Sequence, residues 1–167
     1  MDLRTRLSEG RTEHRAERTA VEVEVRKVLG ELTRVVVKVG TNVLVKSAGE
    51  LHRPRMRSLV SQISKLRKMG KEVVLVSSGA IVAGLEALGA KKRPKDLQSL
   101  QIAAAVGQSL LMAEYGKLFA KEGLVVAQLL LTHDDLRNRT RHLNMRNTIL
   151  GLMSRGIIPI VNENDVV

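Results

Sequence analysis

The sequence contains no cysteine and no tryptophan, and only one tyrosine and one phenylalanine in 167 residues. Disulfides, thiolate metal sites and cysteine nucleophiles are therefore excluded. A core must be aliphatic, and 44% hydrophobic residues suffice for one domain. No apolar run approaches the roughly 18 residues of a membrane helix, and the Arg- and Glu-rich N-terminus lacks the apolar stretch of a secretory signal. We therefore expect a cytoplasmic protein that does not associate with membranes.

Positive charge is abundant, with a formal net charge of +11. The excess lies mainly in residues 46–96, which carry twelve Lys or Arg against four Asp or Glu. Surfaces that bind RNA usually pair such charge with stacking aromatic rings. Because aromatic residues are nearly absent, we favour a solvated basic surface, and a nucleic-acid-binding module remains the weaker alternative.

Apolar runs of strand length alternate with helical patterns along the chain. The runs are continuous, as in strands buried on both faces of a parallel sheet, and they occupy residues 35–39, 73–77, 124–131 and 157–161. The helical patterns each stop beside a glycine and cover residues 54–69, 79–88, 97–122 and 139–155. This order predicts an α/β sandwich with right-handed crossovers.

Residues 1–33 form a charged N-terminal extension that precedes the domain predicted at 34–167. Val21, Val23 and Val25 alternate as in a strand. The same segment also has the spacing of a helix, which we favour, with apolar positions at Val21, Val25, Val28, Leu29 and Leu32. The expected arrangement is a tail that leads into a short helix.

Three turns follow directly after predicted strands, where α/β proteins place their chemistry. They read KVGTN at 38–42, SSGAIVAG at 77–84 and NEND at 162–165. A strand that breaks at glycine and opens a helix presents free backbone N–H groups, which attract anions. The glycine spacings of the P-loop and of the dinucleotide-binding fingerprint are both absent.

Lys38 stands at the end of the first strand, beside Gly40 and Thr41. Its ammonium could neutralise polyphosphate oxygens, which is what phosphoryl transfer asks of a protein. The alternative is a lysine that extends into solvent. Likewise, residues 162–165 alone would also suit a polar loop with an Asx turn.

His133 and His142 have no partners at metal-ligand spacing, and we interpret both as surface or helix residues. Residues 132–138 read as a strand-to-helix loop in which Thr132 or an aspartate caps a helix. No metal site is predicted.

Five segments in order resemble glutamate 5-kinases of the amino acid kinase superfamily. They are VVVKVGTNVL, VVLVSSGAIVAG, AAAVGQSLLMAEY, LLLTHDDLRNRTRHLNMRNTI and GIIPIVNENDVV, within residues 34–167. The resemblance implies a three-layer αβα sandwich around a mainly parallel sheet. It also implies phosphorylation of the γ-carboxylate of L-glutamate by ATP, with Mg²⁺ carried by the nucleotide, as the first step of proline synthesis.

The resemblance assigns roles to the residues of the three turns. Lys38, Gly40 and Thr41 match positions that bind the ATP phosphates, with Lys38 also catalytic. The matches on the glutamate side are Ser78, Gly79, Ala80, Asn162 and Asp165, and Asp165 is expected to hold the substrate ammonium and to orient nearby lysines. The family further implies a dimer or tetramer, with proline as a feedback inhibitor.

The resembled kinases continue beyond the position matching Val167 with a Gly-Asp-Asn-Asp motif, a second lysine and most of the adenosine site. We therefore expect these 167 residues to be the glutamate-side part of a kinase domain and to turn over slowly by themselves. Two alternatives stay open: a related kinase acting on another carboxylate, carbamate or phosphate, and a non-catalytic fragment that self-associates through an unprotected sheet edge.

Overall fold

The structure is a computed structural model that describes residues 30–46, 50–90 and 92–166. The chain divides into two compact units, Met1–Thr33 and Arg34–Val167. The tail and nearly all of the short helix expected before the first strand lie outside the described residues. The second unit carries the sheet and the candidate site.

Four strands of six residues each form one parallel sheet in the order β1-β2-β4-β3. They are β1 (Arg34–Val39), β2 (Glu72–Ser77), β3 (Val126–Leu131) and β4 (Ile158–Glu163). The predicted parallel α/β architecture is confirmed. The third strand begins two residues later than predicted, because Gly123 turns at φ 73° and Leu124 and Val125 lead into the sheet.

Six helices connect the strands of the described residues. They are α1 (Thr41–Leu44), α2 (Arg53–Lys68), α3 (Ala80–Ala87), α4 (Leu97–Ala120), α5 (His133–Arg137) and α6 (Arg139–Ser154). The four longer helices match the predicted segments to within two residues, whereas α1 and α5 are too short to show a helical period. In the part of the chain that the structure describes, no helix has the length and apolar character needed to cross a membrane.

The order of the strands places helices on both faces of the sheet. The chain crosses from β1 to β2 and from β2 to β3 in one direction, and returns from β3 to β4 in the other. Right-handed crossovers therefore put α2, α3 and α4 on one face and α6 on the opposite face, where α6 contacts β4 and β2. This is the predicted three-layer αβα sandwich.

The main core lies between the sheet and α2 to α4, and it is not purely aliphatic. Tyr115 and Phe119 are its largest fully buried side chains, with ring centroids 6.3 Å apart. The Tyr115 hydroxyl and Ser77 Oγ are 2.9 Å apart and form a buried hydrogen bond. The rest of this core is aliphatic, as predicted, and the two aromatic residues of the chain are the exceptions.

Two glycines bring α3 and α4 into close contact. A Cβ at Gly84 would lie 1.8 Å from the Ala103 carbonyl oxygen, and a Cβ at Gly107 would lie 1.8 Å from that of Ala80. The two backbones can approach this closely only without side chains at both positions. This contact fixes the start of α3, which carries part of the candidate site.

Candidate active site

A cleft of about 210 Å³ opens at the carboxyl ends of β1, β2 and β4. Parallel strands present their carboxyl ends at one edge of the sheet, which is where ligands of α/β proteins bind. Three separate turns, together with the loop before α4, contribute to the wall: Thr41, Ser78, Gly79, Ile81, Val82, Arg93, Asn162, Glu163 and Asp165.

The structure brings together five of the eight site residues proposed from the sequence, namely Thr41, Ser78, Gly79, Asn162 and Asp165. Lys38, Gly40 and Ala80 are not part of this wall. Ala80 lines an adjoining cavity of about 290 Å³, whose wall also includes Asp165. The predicted roles of these residues remain predictions.

Lys38 lies on the sheet face opposite the main core. Along β1, Val35, Val37 and Val39 are at least partly buried, and Val39 is only 5% exposed. Val36 and Lys38, which alternate with them, are exposed. The ammonium is therefore free to reach beyond the strand end. The next turn is tied to this strand because the Ser78 N–H donates to the Val39 carbonyl over 3.2 Å.

Gly40 adopts φ −77° and ψ 162°, which any residue tolerates, and precedes α1. Its carbonyl accepts a hydrogen bond from Val43 N–H at 3.0 Å. A Cβ added to Gly40 would meet no atom within 4 Å. Neither the backbone nor the described packing requires glycine here, so the open space suits close approach by a molecule outside the chain.

The turn from β2 into α3 does require its glycine. Gly79 has φ 113° and is the N-cap of α3, with no side chain capping the helix. Side chains rarely tolerate this conformation, whereas glycine does. The first N–H groups of α3 consequently point towards the cleft end of the sheet without a capping oxygen, which suits an anionic ligand.

Asn162 is 7% exposed and is held from two sides. Its Nδ2 donates to Gln108 Oε1 at 2.8 Å, and its Oδ1 accepts from the Glu163 N–H at 3.0 Å. Gln108 sits inside the Ala-rich pattern of α4 and gives no signal of its own in the sequence. Only the tertiary contact reveals that it orients a cleft residue.

Asp165 is the carboxylate with a raised pKa at this site. Partial burial raises its pKa most, the neighbouring Glu163 raises it further, and Arg93 acts in the opposite direction. Arg93 was also missed by the sequence analysis, which placed it in a solvated basic run. The cleft therefore combines two carboxylates with one guanidinium.

Thr132 caps α5 through a reciprocal pair of hydrogen bonds with Asp135, as predicted for this loop. These bonds, with Arg141 contributing, lower the pKa of Asp135. His133 Nδ1 lies 3.9 Å from Glu163 Oε1, and both histidines are exposed. Among the described residues, no group of three or more His, Asp or Glu side chains has metal-binding geometry.

Comparisons with known proteins agree with this architecture. Residues 33–167 match the model of the amino acid kinase family. The chain is 50% identical over 142 residues to a glutamate 5-kinase of Nitrosomonas eutropha, covering 85% of this chain and 38% of that protein. It is 54% identical over 134 residues to one of Herpetosiphon aurantiacus, covering 80% and 36%.

A glutamate 5-kinase of Moorella thermoacetica is 49% identical over 146 residues, covering 87% of this chain and 39% of that protein. The chain thus spans less than two fifths of the length of these curated relatives. The family match includes all four strands and every residue of the cleft. The chain belongs to the amino acid kinase family.

Proposed function

We propose that the protein phosphorylates the γ-carboxylate of L-glutamate with ATP, as the first step of proline biosynthesis in the cytoplasm. The observation that carries this proposal is the convergence of Thr41, Ser78, Gly79, Asn162 and Asp165 on one cleft at the carboxyl end of the sheet. An amino dicarboxylate needs an acceptor for its ammonium and donors for its carboxylates. Asp165 supplies the acceptor, and Ser78 and the start of α3 supply donors.

We assign binding of the ATP phosphates to the turn at the end of β1, residues 38–42. Lys38 is exposed at the strand end, and the space beside Gly40 is open, so both fit a polyphosphate. Mg²⁺ would enter with the nucleotide, whose phosphates supply most of its ligands, and would neutralise developing charge. A γ-carboxylate oxygen attacks the terminal phosphorus, the bond to the bridging oxygen breaks, and ADP leaves. Lys38 stabilises the charge on the transferred group.

The same proposal includes a homo-oligomer and regulation by proline. β1 is an edge strand whose outer face carries Val36 at 61% exposure, so it offers a surface for a second subunit. Proline shares the ammonium and α-carboxylate of glutamate, and the groups that hold these in the cleft could hold either molecule. A related kinase with a different acceptor is the alternative, and the non-catalytic fragment is a further one.

The test uses the native gene product with ATP, Mg²⁺ and hydroxylamine, which traps an acyl phosphate as a hydroxamate. We expect hydroxamate to form with L-glutamate and not with L-aspartate, N-acetyl-L-glutamate or carbamate. Hydroxamate from another acceptor alone would support the related kinase. If neither ATP nor L-glutamate is consumed, the kinase proposal is overturned.

A further inference from the structure

The cleft contains one cation that the resemblance does not assign. Of the described residues that line the cleft, Arg93 is the only one with a positive charge. It comes from the loop before α4, whereas the residues with proposed roles come from strand ends. Arg93 also lies on the wall of a neighbouring groove of about 440 Å³, together with Thr41 and Lys92.

Arg93 is not committed to any protein partner in the described part of the chain. Several other arginines there have defined acceptors: Arg34 bonds Glu72, Arg53 bonds Glu86 and Arg141 bonds Asp135. Arg93 faces a cleft with two carboxylates, yet it forms neither a hydrogen bond nor an ion pair with them, although its charge acts on Asp165. Its five donors are therefore available to a ligand.

The chemistry of an α-amino acid fixes what such a cation should meet. The ammonium and the α-carboxylate are attached to the same carbon, so the groups that bind them must be neighbours. The proposed function places the ammonium at Asp165, and Arg93 is the cation whose charge reaches Asp165. A planar guanidinium matches a carboxylate with two parallel hydrogen bonds.

We propose, on the basis of the proposed function, that Arg93 binds the α-carboxylate of the amino-acid substrate and so distinguishes α-amino acids from substrates that lack this group. The γ-carboxylate is then left for the donors of Ser78 and of the start of α3. Arg93 and Asp165 hold one end of the substrate, and transfer takes place at the other end. Arg93 therefore contributes to the binding and selection of the amino acid and does not take part in the chemical step.

The experiment measures kinetics of the native gene product with the variants R93Q and R93K. R93Q should raise the KM for L-glutamate about 10- to 100-fold, as expected for a lost bond between charged groups, with kcat and the KM for ATP changed less than about threefold. R93K should fall between R93Q and wild type, because it keeps the charge without the fork. K92Q is the matched control, since Lys92 is exposed and lines the neighbouring groove but not the cleft; it should behave as wild type.

A second substrate separates contact with the α-carboxylate from other effects. The α-amide of L-glutamate keeps the ammonium and the γ-carboxylate but lacks the α-carboxylate. Wild type should therefore phosphorylate it poorly, and R93Q should phosphorylate it no worse than wild type does. An R93Q enzyme that loses affinity equally for both substrates, loses kcat instead, or matches wild type with L-glutamate would overturn the role of Arg93 alone. Wild-type protein that does not phosphorylate L-glutamate would overturn the proposed function, and this inference with it.

Discussion

At the scale of single residues, two charged side chains with proposed roles, Lys38 and Asp165, lie in different surroundings. Lys38 is exposed on the sheet face opposite the main core, where its ammonium can contact a phosphate group. Asp165 is partly buried beside Glu163, where an ionised carboxylate is costly unless a cation accompanies it. In the proposed function, the ammonium of the substrate is that cation.

Replacing Lys38 by alanine should lower kcat of the native gene product about 10²- to 10³-fold and leave the KM for L-glutamate nearly unchanged. The reason is that, in the proposed function, the charge acts on the transferred group and does not hold the amino acid. K38R should recover only part of the rate, because a planar fork replaces a compact charge. K68A, on an exposed residue of α2, is the control. A K38A variant with normal kcat would make Lys38 a solvated strand-end residue.

Replacing Asp165 by asparagine should raise the KM for L-glutamate by tens-fold, about 2 kcal/mol for a bond to a charged group, and leave the KM for ATP unchanged. The raised pKa of Asp165 also predicts how the stability of the fold depends on pH. Ionisation costs more in the folded state than in the unfolded state, so wild type loses stability as the pH rises through the folded-state pKa. D165N avoids this cost and should melt no lower than wild type at neutral pH.

In wild type, the affinity for L-glutamate should fall as the pH is lowered towards the raised pKa of Asp165, because the protonated acid no longer pairs with the ammonium. D165N should lack this part of the pH dependence. A KM that does not change in D165N, or a variant that loses only thermal stability, would return Asp165 to a structural role in its turn. Steady-state kinetics with both substrates varied, together with melting curves, separate these outcomes.

At the scale of elements, the contact between α3 and α4 positions the glycine turn of β2. Gly107 lies against the Ala80 carbonyl, and Gly84 lies against the Ala103 carbonyl. In addition, α4 supplies Gln108 to Asn162 and Tyr115 to Ser77. One long helix therefore supports residues at the carboxyl ends of two different strands.

The exchange Gly107→Ala should destabilise the fold by about 1–3 kcal/mol, because the new methyl group would overlap the Ala80 carbonyl and force α3 away from α4. Gly116→Ala in the same helix is the control. A Cβ there meets no atom within 4 Å, so helix propensity alone should stabilise the fold by about 0.5–1 kcal/mol. Urea denaturation measures both, and equal effects of the two exchanges would contradict the close contact.

At the scale of the whole molecule, the sheet is covered unequally. The described helices cover β2 and β4, whereas β1 is an edge strand with one exposed face. The relatives are more than twice as long as this chain. Lys38 stands on this exposed face, where water screens its charge.

The 167 residues expressed by themselves should therefore bind L-glutamate and turn over ATP more slowly than about 1 s⁻¹, the low end for kinases. A phosphate group that is not enclosed loses much of the benefit of fixed orientation and of a dry site. Calorimetry with L-glutamate and an assay of ADP release measure the two properties. Glutamate-dependent turnover at or above that rate would show that these residues form a complete active site.

The sequence by itself determined the layers of the fold and most of the cleft. Continuous Val- and Leu-rich runs specify where the strands lie, and glycines after each helical pattern specify where the chain turns back. The predicted burial on both faces was wrong for β1, which alternates between exposed and at least partly buried residues because it is an edge strand. Because every strand is parallel, the turns containing Thr41, Ser78 and Asn162 had to reach the same edge of the sheet. Local pattern and chain direction were sufficient for these predictions.

Only the tertiary structure decided which side chains serve those turns from elsewhere in the chain. Gln108 lies 54 residues from Asn162 in sequence, and Arg93 reaches the cleft from a loop that reads as solvated charge. Tyr115 and Phe119 likewise are the largest fully buried side chains of a core that composition had assigned to aliphatic residues. Such contacts depend on how distant helices pack against the sheet, and periodicity within one segment carries no information about that packing.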